Sequence, residues 1–166
     1  PRVQIQQVML DAQQLASSWT WAEGVQMHVS WPEDTLFVHA DAAQLVQILA
    51  HVLRNALQAT LPQSTRRVEF RAWRSGATVH LAITDNGPGM TAEDLQRVFE
   101  PFARGSTAAG GAQGSGLGLT IAKMLTDLMG GEMTAHSTPG QGTVFRLRLF
   151  LPELQGAVAP TMLATP

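Results

Sequence analysis

Three stretches of the chain carry apolar residues at helical spacing. Within residues 6–18, 42–60 and 117–128 the apolar positions recur every three or four residues, which predicts amphipathic helices. The residues that set this pattern are Val8, Met9, Ala12, Leu15 and Ala16 in the first stretch, Leu45, Ile48, Leu49, Val52 and Ala56 in the second, and Leu117, Ile121, Leu125 and Leu128 in the third. Asp41 can cap the second helix, Pro62 stops it, and Gly130-Gly131 stop the third.

Other stretches alternate apolar and polar residues, which predicts half-buried strands. The predicted strands lie at 25–31, 36–40, 68–72, 79–83, 133–137 and 144–151, and the fourth of them ends at Asp85. Arg74-Ser75-Gly76-Ala77 and the segment 139–142 have the composition of hairpin turns. Thr91 and Asp94 resemble a capping box that opens a short helix toward Phe99. Hairpins interleaved with helices predict a mixed sheet that is covered by helices on one face.

Two segments lack a periodic apolar pattern. Residues 103–116 are rich in Gly, Ala, Ser and Thr, so we expect a mobile loop there. The end of the chain, 153–166, is rich in Ala, Pro and Thr, and we expect it to be a flexible tail. The remaining 152 residues are predicted to form a single domain, because a chain of 166 residues is too short for two comfortable cores.

Composition narrows the classes of function. A formal charge of −2 gives no broad basic field, so binding of nucleic acid or of an anionic membrane is not expected. The chain has no cysteine, which excludes disulfides and thiolate chemistry, and it has no apolar run of the roughly 20 residues that span a bilayer. It begins with Pro1 instead of Met, and we expect it to be part of a longer polypeptide.

The second predicted helix carries a polar face. His51, Asn55 and Gln58 are separated by four and three residues, so they lie on one side of the helix and can point at one ligand. Asn offers a neutral oxygen ligand to Mg²⁺, which takes few protein ligands beside substrate phosphates. An ordinary solvated polar face with a single histidine explains the same three residues, and the helix alone does not decide between the two interpretations.

Two glycine-rich segments follow predicted elements in positions suited to a nucleotide. Asp85-Asn86-Gly87-Pro88-Gly89 ends a strand, where a carboxylate could accept a hydrogen bond from the exocyclic amine of adenine. The segment 114–119, GSGLGL, runs into a helix, whose free N–H groups and positive dipole end suit a polyphosphate. Taken singly, the first segment is also explained by an Asn-Gly turn and the second by a flexible turn.

The order and spacing of these motifs resemble the histidine kinase branch of the GHKL superfamily, which also contains DNA gyrase, the large heat-shock chaperones and mismatch-repair ATPases. The stretch 51–59, HVLRNALQA, is similar to the N box of this superfamily, and DNGPG at 85–89 is similar to its first glycine box. FEPF at 99–102 resembles the F box that is typical of the kinases, and 114–119 resembles the second glycine box. The segment 140–145, GQGTVF, resembles the last box.

This resemblance implies a Bergerat-type two-layer α/β sandwich with a mixed, mainly antiparallel sheet, helices on one face, and a mobile ATP lid at about 90–116. It implies that Asn55 holds Mg²⁺, that Asp85 binds the adenine amine, and that Arg104 contacts the γ-phosphate. The other residues that the resemblance places around ATP are His51, Gln58, Gly87, Gly89, Met90, Phe102, Gly114, Ser115, Gly116, Leu117, Gly118 and Thr143.

The sequence departs from the kinase pattern at two positions of the N box. His51 stands where the kinases carry a first Asn, and Gln58 stands where a Lys is frequent; the second change removes a charge near the phosphates. In the ATPase branches the position of His51 carries a Glu that activates water, so a conformational ATPase is the less favoured alternative. A degenerate nucleotide-binding regulatory module is the other alternative that these two departures leave open.

The resemblance also implies a reaction and its partners. The domain would transfer the γ-phosphoryl group of ATP to a histidine on a separate dimerisation and phosphoacceptor helical domain, and a response-regulator receiver domain would accept it next. None of the five histidines of the chain has the His-Glu or His-Asp context of that acceptor helix. We therefore expect a monomeric fragment of a homodimeric protein, located in the cytoplasm or in the cytoplasmic part of a membrane-bound sensor.

Overall fold

The computed structural model describes residues 2–19, 22–101 and 117–151. The helices in these ranges are α1 (Ile5–Ser17), α2 (Ala42–Ala59), α3 (Ala92–Gln96) and α4 (Gly118–Leu128). The strands are β1 (Arg2–Gln4), β2 (Val25–Ser30), β3 (Phe37–His39), β4 (Arg66–Ser75), β5 (Thr78–Asp85), β6 (Glu132–Thr138) and β7 (Gly142–Phe150).

Five of the strands form one mixed sheet in the order β2-β4-β5-β7-β6, and β1 pairs with β3 in a separate two-stranded sheet. Within this sheet only the pairing of β2 with β4 is parallel; β4 with β5, β5 with β7, and β7 with β6 pair antiparallel. The β4–β5 hairpin turns at Gly76 and Ala77, because Ser75 pairs directly with Thr78. The predicted mixed, mainly antiparallel sheet is therefore confirmed.

The core lies between one face of this sheet and the helices. Strand side chains alternate between the two faces, and those facing the helices are buried, including Phe70, Leu81 and Phe145. Helix α2 packs against α1 on one side and α4 on the other, and its apolar residues Leu45, Ile48 and Leu53 are fully buried. The arrangement is a two-layer sandwich in which α2 occupies the middle of the helical layer.

Two predicted helix boundaries match closely because local capping determines them. The Asp41 side chain accepts a hydrogen bond from the Gln44 N–H at 3.0 Å, which begins α2 at the predicted residue. The Thr91 hydroxyl accepts one from the Asp94 N–H at 3.1 Å and begins α3. Helix α3 ends at Gln96, however, so the predicted extension toward Phe99 is wrong, and turns follow in its place.

Three apolar residues assigned to buried positions by their spacing are exposed. Leu15 of α1 is 45% exposed, Trp31 after β2 is 46% exposed, and Leu128 at the end of α4 is 76% exposed. The first and the last lie in final helical turns, where the periodic stripe runs past the edge of the layer that it packs against. Strand β2 ends at Ser30, so the prediction that Trp31 belongs to this strand is wrong. Strand β1 was not predicted, because three residues are too few to show an alternation.

Candidate nucleotide-binding site

Helix α2 lies against the first glycine box and against the described part of the second, residues 117–119, at positions about two turns apart. A Cβ atom added to Gly118 would lie 3.2 Å from Nδ1 of His51, and one added to Gly87 would lie 2.5 Å from the carbonyl oxygen of Ala59. His51, Asn55 and Ala59 are spaced by four residues, so they share one face of α2, and His51 and Ala59 are roughly 12 Å apart along the axis. Asn55 therefore lies midway between the two boxes, on the side of the helix that faces them both.

Asp85 lies at the first glycine box and is buried, with 3% of its surface exposed. Its Oδ1 accepts a hydrogen bond from the Gly87 N–H at 2.9 Å, and the backbone of Thr143, its register partner on β7, also bonds to the carboxylate. Oδ2 is buried and has no hydrogen-bond partner among the described residues. A buried carboxylate oxygen without a partner is costly, and a ligand N–H would satisfy it.

Burial also changes the acidity of this group. Desolvation raises the pKa of Asp85 from 3.8 to about 6, against the opposing effect of the hydrogen bonds from Gly87 and Thr143. At neutral pH the carboxyl is still mainly ionised, so it acts as a hydrogen-bond acceptor. Its charge is nevertheless poorly compensated, which favours a ligand that donates a hydrogen bond to Oδ2.

The backbone around Asp85 leaves no room for side chains. The close approach of Gly87 to Ala59 excludes a Cβ atom, and a Cβ atom on Gly89 would collide with the carbonyl oxygen of Thr138. Gly89 also has φ +76°, a left-handed conformation that other residues adopt at a cost. Both glycines that the sequence singled out in the first box are therefore required by packing, and they hold the chain closely against α2 and the β6–β7 turn.

A serine that sequence reasoning missed connects the first and last boxes. The Ser137 hydroxyl accepts a hydrogen bond from the Met90 N–H at 2.8 Å and donates one to the Gly142 carbonyl at 2.8 Å. Its oxygen also lies 2.8 Å from Oγ1 of Thr143, which is 6% exposed. Met90 and Thr143, both predicted to lie around ATP, are thus joined through Ser137. The signal that could have identified it is the register of the β6–β7 hairpin, which pairs Ser137 with Thr143.

Asn86 fixes the first glycine box on its other side. Its Nδ2 donates a hydrogen bond to the Thr65 carbonyl at 2.7 Å, and its Oδ1 accepts one from the Arg67 N–H at 2.8 Å. The Asn86 N–H donates to the Arg67 carbonyl at 3.2 Å. The residue between Asp85 and Gly87 is therefore a structural clamp on the start of β4, and this keeps the carboxylate at the end of β5 in place.

His51, a residue of α2, packs against Gly118 at the start of α4. Its Nε2 is buried and has no hydrogen-bond partner among the residues that the structure describes. Burial lowers the pKa of His51 below 6.5, and the neighbouring Arg54 charge lowers it further, so the ring is neutral at pH 7. A neutral imidazole next to the beginning of a helix adds no positive charge to the predicted phosphate position, but it offers a ring nitrogen for hydrogen bonding.

The first turn of α4 is connected to the rest of the site through Phe99. The Thr120 hydroxyl donates a hydrogen bond to the Phe99 carbonyl at 2.9 Å, and the Phe99 ring meets the Phe145 ring edge to face at 6.1 Å. Phe99 of the F box therefore anchors the beginning of α4 to β7. Leu117 and Gly118 are half-buried there, and the Leu117 carbonyl accepts the Ile121 N–H at 2.9 Å.

The remaining predicted site residues divide into two groups. Asn55 is half-buried and Gln58 is 8% exposed, so Gln58 lies deeper in the helical layer than a solvated polar face would place it. Five predicted residues and most of the predicted lid lie outside the described ranges. These residues are Phe102, Arg104, Gly114, Ser115 and Gly116.

A buried carboxylate with one unsatisfied oxygen, a helix face contacted by two glycine boxes, and a two-layer sandwich together define a nucleotide-binding domain of the GHKL type. The chain belongs to the histidine kinase-, DNA gyrase B-, and HSP90-like ATPase family, whose pattern it matches over residues 40–153. The fold and the family that the motif resemblance implied are therefore confirmed.

Sequence relatives of the chain include histidine kinases. It is 33% identical over 154 residues to the sensor histidine kinase TrcS of Mycobacterium tuberculosis, which covers 91% of this chain and 28% of that protein. It is 36% identical over 143 residues to the histidine protein kinase DivJ of Caulobacter vibrioides, with 86% of this chain and 23% of that protein covered. The chain thus spans about a quarter of the length of these relatives, which are multidomain sensor kinases.

Solved structures agree with this assignment. The mycobacterial sensor histidine kinase MprB superimposes with a TM-score of 0.80 at 26% identity, covering 91% of this chain and 98% of that chain. Full-length ShkA in complex with AMPPNP superimposes with a TM-score of 0.74 at 28% identity, covering 91% of this chain and 31% of that one.

Among the described residues, no helix is both long and apolar enough to cross a membrane.

Proposed function

We propose that this chain is the ATP-binding catalytic domain of a two-component sensor histidine kinase. It would transfer the γ-phosphoryl group of ATP to a histidine on a dimerisation and phosphoacceptor helical domain. The observation that carries the proposal is the buried Asp85 at the end of β5, whose Oδ2 has no hydrogen-bond partner among the described residues.

Adenine recognition is the best supported step. Oδ2 of Asp85 accepts the exocyclic N–H of adenine, whereas guanine carries a carbonyl oxygen at that position, which the carboxylate repels. Gly87, Gly89, Met90 and Thr143 surround the base, and the first two hold the backbone closely against α2 and the β6–β7 turn. The selectivity for ATP over GTP rests on one buried hydrogen bond, which is worth about 1.5–3 kcal/mol for a charged acceptor.

Phosphate and metal binding occur at the other end of the same helix face. Asn55 contributes its side-chain oxygen to Mg²⁺, and the N-terminus of α4 at Leu117 and Gly118 receives the phosphates together with Gly114, Ser115 and Gly116. His51 adds a neutral polar group at this end of the face, Gln58 adds one near Ala59 at the opposite end, and Arg104 supplies the cation for the γ-phosphate. The fit of Mg²⁺ rests on the position of Asn55 between the two boxes, roughly one helical turn from His51.

Transfer itself requires that the γ-phosphate be held in line with the acceptor nitrogen. Such reactions depend on positioning and on charge stabilisation more than on covalent chemistry by the enzyme. Residues 90–116 act as the lid over the phosphates, with Phe102 near the nucleotide. A response-regulator receiver domain is the next acceptor, and the full protein is a homodimer through its helical domain while this domain alone is monomeric.

The proposal is tested by calorimetric titration of the domain with ATP and with GTP, each with and without Mg²⁺, followed by addition of the separately made helical acceptor domain. We expect binding that is selective for ATP and is strengthened by Mg²⁺, and phosphate on the acceptor histidine. The matched control is Asp85→Asn, which changes one atom of the carboxylate.

Two other outcomes separate the alternatives. Release of phosphate without any acceptor, at a rate that the acceptor does not change, would support a conformational ATPase. A folded domain that binds no nucleotide would support a degenerate regulatory module, and the variants His51→Asn and Gln58→Lys would then show whether the two N-box departures are the cause.

A further inference from the structure

The sheet has a second face, on the side away from the helices, that carries no packed element among the described residues. The side chains of β4, β5, β6 and β7 that point there alternate with the buried ones. Its charged residues are the arginines 67, 71, 146 and 148 and the glutamates 69 and 132. We call this surface the outer face; its formal charge is positive, although the chain as a whole has a net charge of −2.

The centre of the outer face is an ordered stack of aromatic and cationic groups. The rings of Trp73 and His80 are stacked with centroids 5.1 Å apart and an angle of 10° between their planes. The Arg71 guanidinium carbon lies 4.5 Å from the centroid of the Trp73 ring, and that of Arg146 lies 5.5 Å from it. At the end of β7 the Arg148 guanidinium lies 5.8 Å from the Phe150 ring centroid. These contacts hold the guanidinium groups against the sheet.

Several polar atoms of this stack have no partner. Nε of Arg146, Nε of Arg148 and Nδ1 of His80 are buried and make no hydrogen bond to the described residues. Burial and the charges of Arg146 and Arg148 lower the pKa of His80, so the histidine stays neutral beside them. Two arginine N–H donors without acceptors on one patch are an unusual feature, since buried polar groups are normally satisfied.

The carboxylates already on the outer face do not supply these acceptors. Glu132 lies 3.3 Å from the terminal nitrogen of Arg148, and Glu69 lies 4.0 Å from Nε of Arg71. All four side chains are 40% exposed or more, so these ion pairs contribute at most about 1 kcal/mol each and can be exchanged for others. The segment 152–166, which continues from β7, contains one acidic residue, so it does not match the charge of the face either.

The shape and the mixture of charges favour one class of occupant. Four neighbouring strands of seven to ten residues give a footprint on the order of 500 Å². This is below the roughly 800 Å² that each partner contributes to a stable complex, and it fits a transient one. Arginine and tryptophan are the residues that most often carry binding energy at protein interfaces. A continuous polyanion would meet Glu69 and Glu132, whereas a protein surface can place its carboxylates individually over the arginines.

We propose that the outer face is a docking surface for an acidic protein surface, whose carboxylates bind Arg146 and Arg148 and whose apolar groups cover Trp73. This surface lies across the sheet from the nucleotide site and is independent of it. Arginine pairs with carboxylates in a two-pronged geometry, and the Arg148 side chain, which is 40% exposed, can present its guanidinium to such a carboxylate. Binding there is expected to weaken with salt, because the face is partly exposed.

The probe for the experiment is a capped ten-residue peptide in which glutamates are separated by leucine and serine, titrated into the domain at low salt and followed by the NMR signals of the four indole N–H groups. Trp73→Phe assigns the signal of Trp73. We expect this signal and the side-chain Nε signals of Arg146 and Arg148 to shift on titration. The double variant Arg146→Gln/Arg148→Gln should weaken the peptide at least 5-fold. The control Arg2→Gln/Arg74→Gln removes the same charge from outside the outer face and should change the affinity less than 2-fold.

Each arm has a result that overturns the proposal. Peptide binding that shifts other indole signals, or that falls equally in both double variants, would show that net charge alone attracts the peptide. Equal or tighter binding of inorganic polyphosphate or of phosphatidylserine vesicles at the same residues would assign the face to a different class of ligand. No binding of the peptide would also overturn it. Unchanged ATP affinity and unfolding temperature in the variants show that the domain remains folded; should the double variant unfold, Arg71→Gln is measured in its place.

Discussion

Strand β5 carries a titratable group on each of its two faces, and burial favours the neutral form of both. The surroundings of the two groups differ, and they suit them to different roles. Asp85 faces the helices, where the Gly87 N–H binds one of its oxygens and the other has no partner. His80 faces away from them and is stacked on Trp73, near two arginines. One strand thus presents an unsatisfied acceptor on one side and a cationic, aromatic surface on the other.

The difference shows that a perturbed pKa has a meaning only together with its surroundings. At Asp85, burial opposes ionisation while backbone N–H groups support it, so the site is an acceptor held ready for a donor. At His80, burial and two positive neighbours all act in the same direction, so the group is a neutral component of the stack. The first arrangement suits recognition of a ligand by that residue, and the second suits packing.

The largest expected effect is that of Asp85→Asn. The substitution removes the charged acceptor and can place an amide N–H donor opposite the adenine amine. We therefore expect ATP affinity to fall roughly 100-fold or more, which corresponds to the loss of a bond worth about 3 kcal/mol. The variant should at the same time be more stable without nucleotide at pH 7. Calorimetric titration and urea unfolding of the same preparation measure both quantities.

The pH dependence of stability tests whether the ionised Asp85 carboxylate destabilises the folded domain. The folded pKa of Asp85, about 6, lies above its ordinary value of 3.8, so the stability of the domain is greatest below pH 3.8 with respect to this group and decreases as the pH rises through 6. A shift of this size corresponds to a loss on the order of 3 kcal/mol. Asp85→Asn should remove this decrease; a variant that is less stable than the parent and still binds ATP would contradict the assignment.

Substitution of Gly89 is expected to have the next largest effect. Gly89→Ala combines a strained φ of +76° with a collision against the Thr138 carbonyl, whereas Gly140→Ala has a similar φ of +82° and nothing within 4 Å. We expect the first to destabilise the domain by about 2 kcal/mol more than the second, because overpacking typically costs 1–3 kcal/mol. Equal unfolding free energies for the two variants would mean that conformation alone matters at Gly89.

Asn55→Ala tests whether the helix-facing side of the sheet binds Mg²⁺ as well as the nucleotide. If Asn55 holds Mg²⁺ between the two boxes, ATP affinity in the presence of Mg²⁺ should fall about 10-fold, a loss of roughly 1.4 kcal/mol, while affinity in the presence of a chelator stays the same. His80→Gln on the outer face is the control and should leave both affinities unchanged. A loss of affinity that is independent of the metal would assign Asn55 to the phosphates instead.

The smallest expected effect is that of His80→Gln on stability. The folded pKa of His80 lies below its ordinary value of 6.5, so the stability associated with this group is present above pH 6.5 and is lost as the pH falls through the folded pKa. The variant should flatten the unfolding free energy below pH 6.5 and change it by less than about 0.5 kcal/mol at pH 7.5, as is usual for surface positions. A change in the opposite direction would mean that protonated His80 is stabilised by an acidic neighbour.

Much of the helix-facing side could be predicted from the sequence, because its signals are local. The capping of α2 by Asp41 and the end of β5 at Asp85 depend on residues near each other along the chain. The spacing of Gly87 and Gly89 marked them as part of a motif, but the residues they pack against, Ala59 and Thr138, are distant in sequence. The motif order then indicated the family. The exposure of Leu15 and Leu128 was not predictable from spacing, since it depends on where the neighbouring layer ends.

What the sequence by itself determined was the set of elements other than β1, the two-layer class of the fold and the position of the acceptor carboxylate, because period, caps and glycine spacing act over a few residues. Only the tertiary structure decided the strand order β2-β4-β5-β7-β6, the joining of Met90 to Thr143 through Ser137, and the stack of Trp73 with arginines from β4 and β7. These features depend on which strands become neighbours, and the pairing of distant segments is a property of the whole packed chain.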